Sequence, residues 1–350
     1  MAGDPSLDFQ QRMIRDAATA LHAITVSIGR RLGIYQQLAG QGHLSVDELV
    51  RRTGTTERYL REWLHAQVSA GYLEHDPVAD TYLLPDAHAP VLTDEDSPAF
   101  GAGFFPVLQH LYATEDRLVD AFQHGDGVAW HAHNPAFDSA LARFFLPSYR
   151  ANIVRNWLPA LDGVVDTLAS GGTVADIGCG EGYSTLLMAE AFPRATFHGF
   201  DYSAEPIARA KAMADERGLS GRVQFDTAMA DSDTGRRYDL VTFFNCLHDM
   251  GDPVAAARQV RDSLAPGGTW MLVEPNASAD LDANRHPAGR LFMSLSVVMC
   301  LPAAAAQQGP YALGNHAGED VLEDIARQAG FTHWRRAAET PFSAVYEIRP

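Results

Sequence analysis

The chain has 350 residues, of which 46% are hydrophobic, so it is long enough for two globular domains with substantial cores. Its 44 Asp and Glu outnumber 27 Lys and Arg, and the net charge of −17 repels a phosphate backbone, which argues against a nucleic acid partner. Cys179, Cys246 and Cys300 show no C-x-x-C spacing and indicate a reducing compartment without disulfides. No signal pattern opens the chain and no uninterrupted apolar run reaches the roughly 18 residues of a membrane span. We therefore expect a cytoplasmic protein.

The N-terminal part predicts a small helical domain. Apolar residues recur at helical spacing over residues 21–32, as in an amphipathic helix with one apolar stripe. A capping box at residues 45–48 opens a short helix, and a second helix follows from Thr55. Two short β runs, at residues 71–74 and 81–84, then form a wing. Helix, turn, helix and wing together predict a winged helix.

Winged helices commonly bind DNA, but this one lacks a basic surface. Residues 45–76 contain four arginines against six acids, whereas a helix that reads DNA needs a basic footprint. The charge pattern therefore disfavours DNA binding for the whole predicted domain, residues 1–95.

The next segment, residues 96–168, is predicted to be mostly helical and is rich in aromatic residues. It joins the N-terminal domain to the rest of the chain, and clefts between domains are where small ligands commonly bind. We interpret it as a helical linker that contributes to a substrate pocket.

A glycine-rich turn is predicted at residues 173–182, which read Thr-Val-Ala-Asp-Ile-Gly-Cys-Gly-Glu-Gly. An apolar strand containing Asp176 leads into three alternating glycines: Gly178, Gly180 and Gly182. Glycine lets the backbone approach a bound molecule closely, so we expect a nucleotide-like ligand here. Tyr183 stands where a dinucleotide fingerprint needs its last glycine, and no Gly-Lys-Ser/Thr follows, which excludes a P-loop.

Further strands alternate with helices after this turn. A β run over residues 195–200 ends at Asp201, where an acid can accept hydrogen bonds from the ribose hydroxyls of a nucleotide-like ligand, whether or not that ligand is a dinucleotide. The remaining predicted elements are strands at 222–225, 238–244 and 269–274, a helix at 253–264, and two final β runs at 331–337 and 342–348. This order predicts an α/β fold with a mostly parallel sheet and an antiparallel C-terminal hairpin.

The Asp-x-Gly-x-Gly-x-Gly turn resembles motif I of the class I S-adenosylmethionine (SAM) methyltransferases. The order of elements, with the turn at residues 265–268, is similar to that family over residues 150–350. The resemblance implies a Rossmann-like SAM-binding methyltransferase domain at residues 169–350. The cofactor-binding residues that it implies are Asp176, Gly178, Gly180, Gly182, Asp201, Tyr202, Met229, Ala230 and Asn245.

The winged-helix prefix looks like that of the small-molecule O-methyltransferases of plants and bacteria. In that family the N-terminal domain embraces a partner subunit and closes the back of its active site. The resemblance therefore implies that residues 1–95 form a dimerisation domain and that the protein is a homodimer.

Catalytic chemistry is expected at residues 247–252. His248 follows the fourth predicted strand, at the edge where open α/β sheets bind ligands, and an imidazole can accept a proton near neutral pH. The run resembles the Leu-His-Asp-Trp-x-Asp motif of the winged-helix O-methyltransferases, whose histidine is the general base; Met250 replaces the tryptophan. The family's orienting acid has no clear match in residues 285–319. We predict SAM-dependent methyl transfer to a small molecule, with His248 and Asp249 as catalytic residues.

Three alternatives remain open for this region. His248 could merely cap the following helix, or the domain could bind SAM in a regulatory protein without transferring methyl groups. His248, Asp249 and a later histidine, His286 or His316, could also form the two-histidine, one-carboxylate face that suits iron. Related bacterial C-methyltransferases of α-keto acids use such a site. The spacing along the chain does not identify the third metal ligand, and the favoured prediction includes no metal.

Overall fold

The computed structural model describes residues 5–133 and 135–350 of the chain. Contacts divide the chain into two compact units, Met1–Gln109 and His110–Pro350.

The first unit is a helical domain with a small sheet. Its helices are α1 (Pro5–Arg31), α2 (Ile34–Leu38), α3 (Val46–Thr53), α4 (Glu57–Ser69), α5 (Ala89–Thr93) and the start of α6 (Phe104–Tyr112). Its strands are β1 (Leu44–Ser45), β2 (Glu74–Asp76) and β3 (Thr81–Leu83), paired antiparallel in the order β1-β3-β2. The Ser45 side chain caps α3 and Glu48 completes the capping box, as the sequence predicts. Residues such as Tyr35, Leu49 and Leu64 fill the core of this unit.

Helix α1 leaves an apolar stripe exposed. Leu21 is 67% exposed and Ile24 is 51% exposed, although both lie on a helix whose opposite side buries Val26 in the core of the unit. The amphipathic pattern is thus present, but the predicted stripe faces away from the unit's own core. Such a stripe is stabilised when another surface covers it.

The second unit is built on a seven-stranded sheet. Its strands are β4 (Thr173–Ile177), β5 (Thr196–Asp201), β6 (Val223–Thr227), β7 (Tyr238–Phe244), β8 (Leu264–Pro275), β9 (His333–Glu339) and β10 (Ser343–Arg349). Their order is β6-β5-β4-β7-β8-β10-β9, with the first five parallel and β10 antiparallel to both neighbours. The predicted parallel sheet with an antiparallel terminal hairpin is confirmed.

The second unit also contains helices. They are α7 (Glu115–His124), α8 (Pro135–Asn152), α9 (Val164–Ser170), α10 (Tyr183–Ala191), α11 (Ala204–Glu216), α12 (Pro253–Ser263), α13 (Pro287–Leu295), α14 (Leu301–Ala305) and α15 (Glu319–Gln328). Of these, α10, α11 and α12 contact strands of the sheet. Neighbouring residues of β4 alternate between two apolar cores: Val174 packs in one and Ala175 in the other. This period of two is expected of a strand buried on both faces.

Two details of the second unit bear on the predictions made from the sequence. Strand β8 begins at Leu264, earlier than the predicted Thr269, because Leu264 already pairs with Tyr238 before the intervening residues bulge outward. The stretch Pro287–Ala305, with a mean hydropathy of 1.6, is long and apolar enough to cross a membrane, yet half of it is buried within the fold. Arg290 interrupts it, so the sequence shows no unbroken apolar run.

Candidate functional site

The glycine turn between β4 and α10 has one open position. All three glycines adopt positive φ angles: 70° at Gly178, 52° at Gly180 and 79° at Gly182. A Cβ on Gly178 would lie 2.8 Å from Cys246, and one on Gly182 would lie 2.6 Å from Phe225. A Cβ on Gly180 would meet nothing within 4 Å. Packing therefore requires two of the glycines, and Gly180 is the one that leaves space for a ligand.

Asp176 braces this turn from inside the protein. Its side chain is fully buried and accepts hydrogen bonds from Ser184 and Thr185 at 2.6 Å and from Thr242 at 2.9 Å. Burial raises the pKa of Asp176 to about 6, against the opposing effect of these hydroxyl donors. The carboxylate thus ties β4 to α10 and β7. A contact between Asp176 and a ligand stays a prediction.

Asp201 ends β5 beside the same turn. One carboxylate oxygen accepts a hydrogen bond from the Gly180 amide at 3.0 Å, and the other accepts one from the Ser203 amide at 2.9 Å. Burial raises the pKa of Asp201, although these amide donors oppose the shift. The acid predicted to contact a ribose therefore lies against the glycine turn, as the sequence expectation requires.

The other predicted cofactor residues lie at the same edge of the sheet. Tyr202 and Met229 are exposed, and Met229 and Ala230 line an apolar cleft together with Phe200. Asn245, directly after β7, adopts a left-handed φ of 53° and donates a side-chain hydrogen bond to the Tyr149 hydroxyl at 3.2 Å. Asparagine tolerates this conformation better than most residues. Its turn redirects the chain after β7.

A histidine and a glutamate meet just after this turn. His248 is buried in a 3₁₀ turn, Leu247–Asp249, and its Nδ1 forms a hydrogen bond with a carboxylate oxygen of Glu274 at the end of β8. The other Glu274 oxygen accepts a hydrogen bond from the Leu247 amide at 3.0 Å. Glu274 thus holds both the backbone of the turn and the imidazole, which leaves Nε2 of His248 on the side away from the glutamate.

Two carboxylates control the charge of this imidazole. Burial lowers the pKa of His248, but Asp249 and Glu274 outweigh burial and hold that pKa well above its ordinary value. A positive charge brought close to it would favour the neutral form, which can accept a proton.

Asp249 and Cys300 lie close to the imidazole of His248. An Asp249 carboxylate oxygen lies 3.3 Å from Nε2 of His248. Nε2 or Nδ1 of His248, a carboxylate oxygen of Asp249 and Sγ of Cys300 all lie within 4.8 Å of one another. The two histidines considered as metal ligands have other partners: His286 Nδ1 accepts from the Gly289 amide, and His316 Nδ1 hydrogen-bonds to Ser296. The side chain that lies beside His248 and Asp249 is therefore Cys300 and neither of these two histidines.

The helix-cap interpretation of His248 is wrong. Helix α12 is capped by Asp252, whose carboxylate accepts a hydrogen bond from the Ala255 amide at 2.9 Å. The imidazole instead belongs to the buried cluster with Glu274, Asp249 and Cys300.

Sequence reasoning missed two members of this cluster. The orienting acid was sought in residues 285–319, whereas Glu274 precedes that range. A signal for it was present, because Glu274 is an acid that ends an otherwise apolar strand at the ligand-binding edge. Cys300 offered no such signal, since a single cysteine in an apolar helix is typical of an ordinary buried core residue.

Family models match both units of the chain. Residues 168–313 match a model described as a methyltransferase domain. The chain contains a methyltransferase domain. Residues 20–94 match a model described as an Rv2258c-like winged HTH domain, so the methyltransferase domain follows a winged helix, as the sequence predicts.

Solved structures with the same fold span nearly the whole chain. Human N-acetylserotonin methyltransferase in complex with SAM superposes with a TM-score of 0.71 at 17% identity and covers 99% of each chain. The O-methyltransferase NcsB1 from neocarzinostatin biosynthesis, in complex with S-adenosylhomocysteine and 1,4-dihydroxy-2-naphthoic acid, has a TM-score of 0.61 at 19% identity, covering 97% of this chain and 98% of that one. These similarities establish the fold.

Among curated proteins, the ubiquinone biosynthesis O-methyltransferase of Aeromonas salmonicida is 33% identical over 152 residues, which are 43% of this chain and 58% of that protein. The chain spans about half the length of the first curated relatives it matches.

Proposed function

We propose that this chain is a SAM-dependent methyltransferase that methylates a hydroxyl group of a small organic molecule, with His248 as general base. The observation that carries the proposal is the pairing of His248 Nδ1 with the buried Glu274, which orients Nε2 at the edge of the sheet that also bears the glycine turn. A buried carboxylate behind an imidazole fixes its tautomer and stabilises the imidazolium that forms when it accepts a proton.

The residues around the glycine turn fit SAM. The open space at Gly180 admits a ligand close to the backbone, and the Asp201 oxygens keep lone pairs for ribose hydroxyls beyond the amide bonds they already accept. Met229 and Ala230, in the neighbouring apolar cleft, suit the adenine ring. We assign Gly178, Gly182, Asp176, Tyr202 and Asn245 to the same site, with Asp176 acting through the turn that it braces.

The chemistry divides between cofactor and protein. When bound, SAM would supply the methyl group from its positively charged sulfur and leave as S-adenosylhomocysteine. His248 Nε2 takes the proton of the substrate hydroxyl as its oxygen attacks, and Glu274 stabilises the resulting imidazolium. Asp249, 3.3 Å from Nε2, helps to orient the imidazole. The proton then leaves to water, which returns the base to its starting state.

An aromatic hydroxyl compound is the substrate class that the surroundings favour. Tyr149 stacks on Phe145 at 5.7 Å and lies 5.3 Å from Phe244, and its hydroxyl contacts Asn245 beside the catalytic turn. Aromatic side chains provide large flat surfaces for aromatic ligands. NcsB1, which has the same fold and whose solved structure holds 1,4-dihydroxy-2-naphthoic acid, supports the same substrate class.

We also propose that the active form is a homodimer. The exposed apolar stripe of α1 needs a cover, and a second copy of the winged-helix domain would supply one of matching chemistry. This assignment agrees with the acidic character of the domain, which offers little to DNA.

The test is methyl transfer from isotopically labelled SAM to hydroxylated naphthoic acids, followed by mass spectrometry. Labelled ether product with the intact protein, and its loss in His248→Ala, would support the proposal. SAM binding by calorimetry without any transfer would favour a regulatory role instead, and no SAM binding would overturn the proposal altogether.

A further inference from the structure

Three side chains of kinds that bind metal ions lie close together at the 3₁₀ turn Leu247–Asp249. A His248 ring nitrogen, an Asp249 carboxylate oxygen and Cys300 Sγ lie within 4.8 Å of one another. Bonds of about 2.0–2.2 Å from a tetrahedral zinc ion to nitrogen and oxygen place those two atoms about 3.3 Å apart. The observed separation of His248 Nε2 and Asp249 Oδ1 is also 3.3 Å. The pair is therefore already spaced as two ligands of one ion.

The third group is brought in by an irregular helix. Cys300 ends a π-helical turn, Ser296–Cys300, between α13 and α14, and it is 1% exposed. A π-turn changes which residues of a helix face a given neighbour, and such turns are frequent at functional sites. Here the irregularity coincides with the placement of a thiol against the imidazole and carboxylate.

The carboxylate of Asp249 is poorly compensated. Its Oδ1 atom is buried and lies 3.3 Å from Nε2 of His248 as an ion pair, without the geometry of a hydrogen bond. Such a pair offsets only part of the cost of burying a carboxylate, and a bound cation would offset more of it. Glu274 on Nδ1 of His248 adds the outer carboxylate that metal-bound histidines usually have.

We propose that Nε2 of His248, the carboxylate of Asp249 and the thiolate of Cys300 bind a zinc ion, and that zinc bound there inhibits methyl transfer. Thiolate and imidazole select zinc over hard cations such as magnesium, and three protein ligands leave a fourth position for water. When the ion binds, the Cys300 thiol releases its proton to solvent, and so does Nε2 of His248 wherever that nitrogen carries one.

Zinc at this site should inhibit methyl transfer because metal binding and proton transfer need the same lone pair of His248. Nε2 of His248 can hold a metal ion or accept a substrate proton, but not both. The inhibitory half of the inference rests on the proposed function, whereas the binding half needs only the geometry of the three ligands.

Cobalt(II) is the probe for binding, since it reports its ligands through its colour. The full-length protein, stripped with a chelator, is titrated with cobalt alone. We expect one equivalent to bind with intense visible bands and a thiolate-to-cobalt charge-transfer band, both removed by one equivalent of zinc. Absence of the charge-transfer band in the folded protein would overturn the inference.

Matched variants assign the ligands. Cys300→Ala should lose the charge-transfer band, and Cys300→Ser, nearly the same in volume, repeats the test if the alanine variant does not fold. Cys246→Ala, which removes another thiol whose Sγ contacts the Ile177 carbonyl instead, should keep the band. His316→Ala should keep it too. A band that persists in folded Cys300→Ser, or disappears in His316→Ala, would contradict the assignment.

The inhibitory half is tested by activity at full zinc occupancy. Turnover should fall at least tenfold with SAM affinity unchanged, recover on chelation, and become insensitive to zinc in Cys300→Ser relative to that variant's own rate. Unchanged turnover in the zinc-loaded protein would refute inhibition. A protein that binds cobalt but never transfers methyl groups would instead refute the proposed function alone.

Discussion

Glu274 holds His248 from the far end of a neighbouring strand, 26 residues along the chain. The same carboxylate also accepts the Leu247 amide, so one acid fixes both the imidazole and the turn that carries it. Because β8 and β7 are adjacent parallel strands, these two hydrogen bonds let the sheet fix the orientation of the His248 imidazole.

Removing the base should slow the reaction without weakening SAM binding. General bases contribute about 10²–10⁴ in rate, so His248→Ala should lower kcat by that factor, with the Kd for SAM unchanged by calorimetry. Near-normal turnover of the variant would show that another group accepts the proton.

Glu274→Gln should lower kcat in the same direction, because the imidazolium loses its carboxylate partner. Since the two residues act as a unit, the double variant should be hardly slower than His248→Ala alone. The control is Glu347→Gln, which removes another buried carboxylate from the same sheet and should lower the melting temperature but leave kcat unaffected. Fully additive losses in rate would contradict the shared role.

A side chain at Gly180 should block the cofactor. Gly180→Val strains a backbone with a φ of 52° and fills the open space, so SAM should bind at least tenfold more weakly. Gly218→Val is the matched control, because Gly218 has a φ of 67° and equally open surroundings but lies outside the turn. Equal SAM affinities in the two folded variants would remove Gly180 from the binding site.

A charge on the stripe of α1 should disrupt the proposed dimer. Leu21→Glu places a carboxylate on an apolar interface, and light scattering should then report monomers or a weaker dimer. Thr19→Glu adds the same charge on the opposite side of the helix and should leave the assembly unchanged. An intact protein that is monomeric at micromolar concentration would refute the dimer itself.

His133 should make stability depend on pH. Burial lowers the pKa of this imidazole to about 4, below its ordinary value of 6.5. The unfolded chain then binds more protons between pH 6.5 and 4, so stability contributed by neutral His133 is lost as the pH falls through that window. Melting temperatures of His133→Gln should fall less steeply over this range than those of the intact protein. His124→Gln, at an exposed histidine, should follow the intact protein; identical slopes for all three would exclude the effect.

The sheet could be predicted because its signals are local. Apolar strands that alternate with helices specify a parallel sheet, and the carboxyl ends of parallel strands share one edge, so Asp201 and His248 were expected to converge. Glu274 obeys the same rule at the end of β8, and its assignment required only that the search for an acid include that strand.

Cys300 could not be predicted for a physical reason. Helical periodicity over residues 287–305 assumes a constant rotation per residue, and a π-turn inserts an extra residue that rotates everything beyond it. Which residue then faces His248 depends on tertiary packing. The exposed stripe of α1 is a related case, because periodicity shows that a stripe exists but not what covers it.

The fastened glycine turn has a thermodynamic consequence. Asp176 holds it from below, Asp201 holds the Gly180 amide, and the Gly178 amide bonds to the Phe200 carbonyl at 2.7 Å. The glycine turn therefore loses its conformational entropy when the chain folds and not when a ligand binds. A ligand that enters this turn finds it already ordered, and its affinity is free of the loop-ordering cost that mobile binding loops impose.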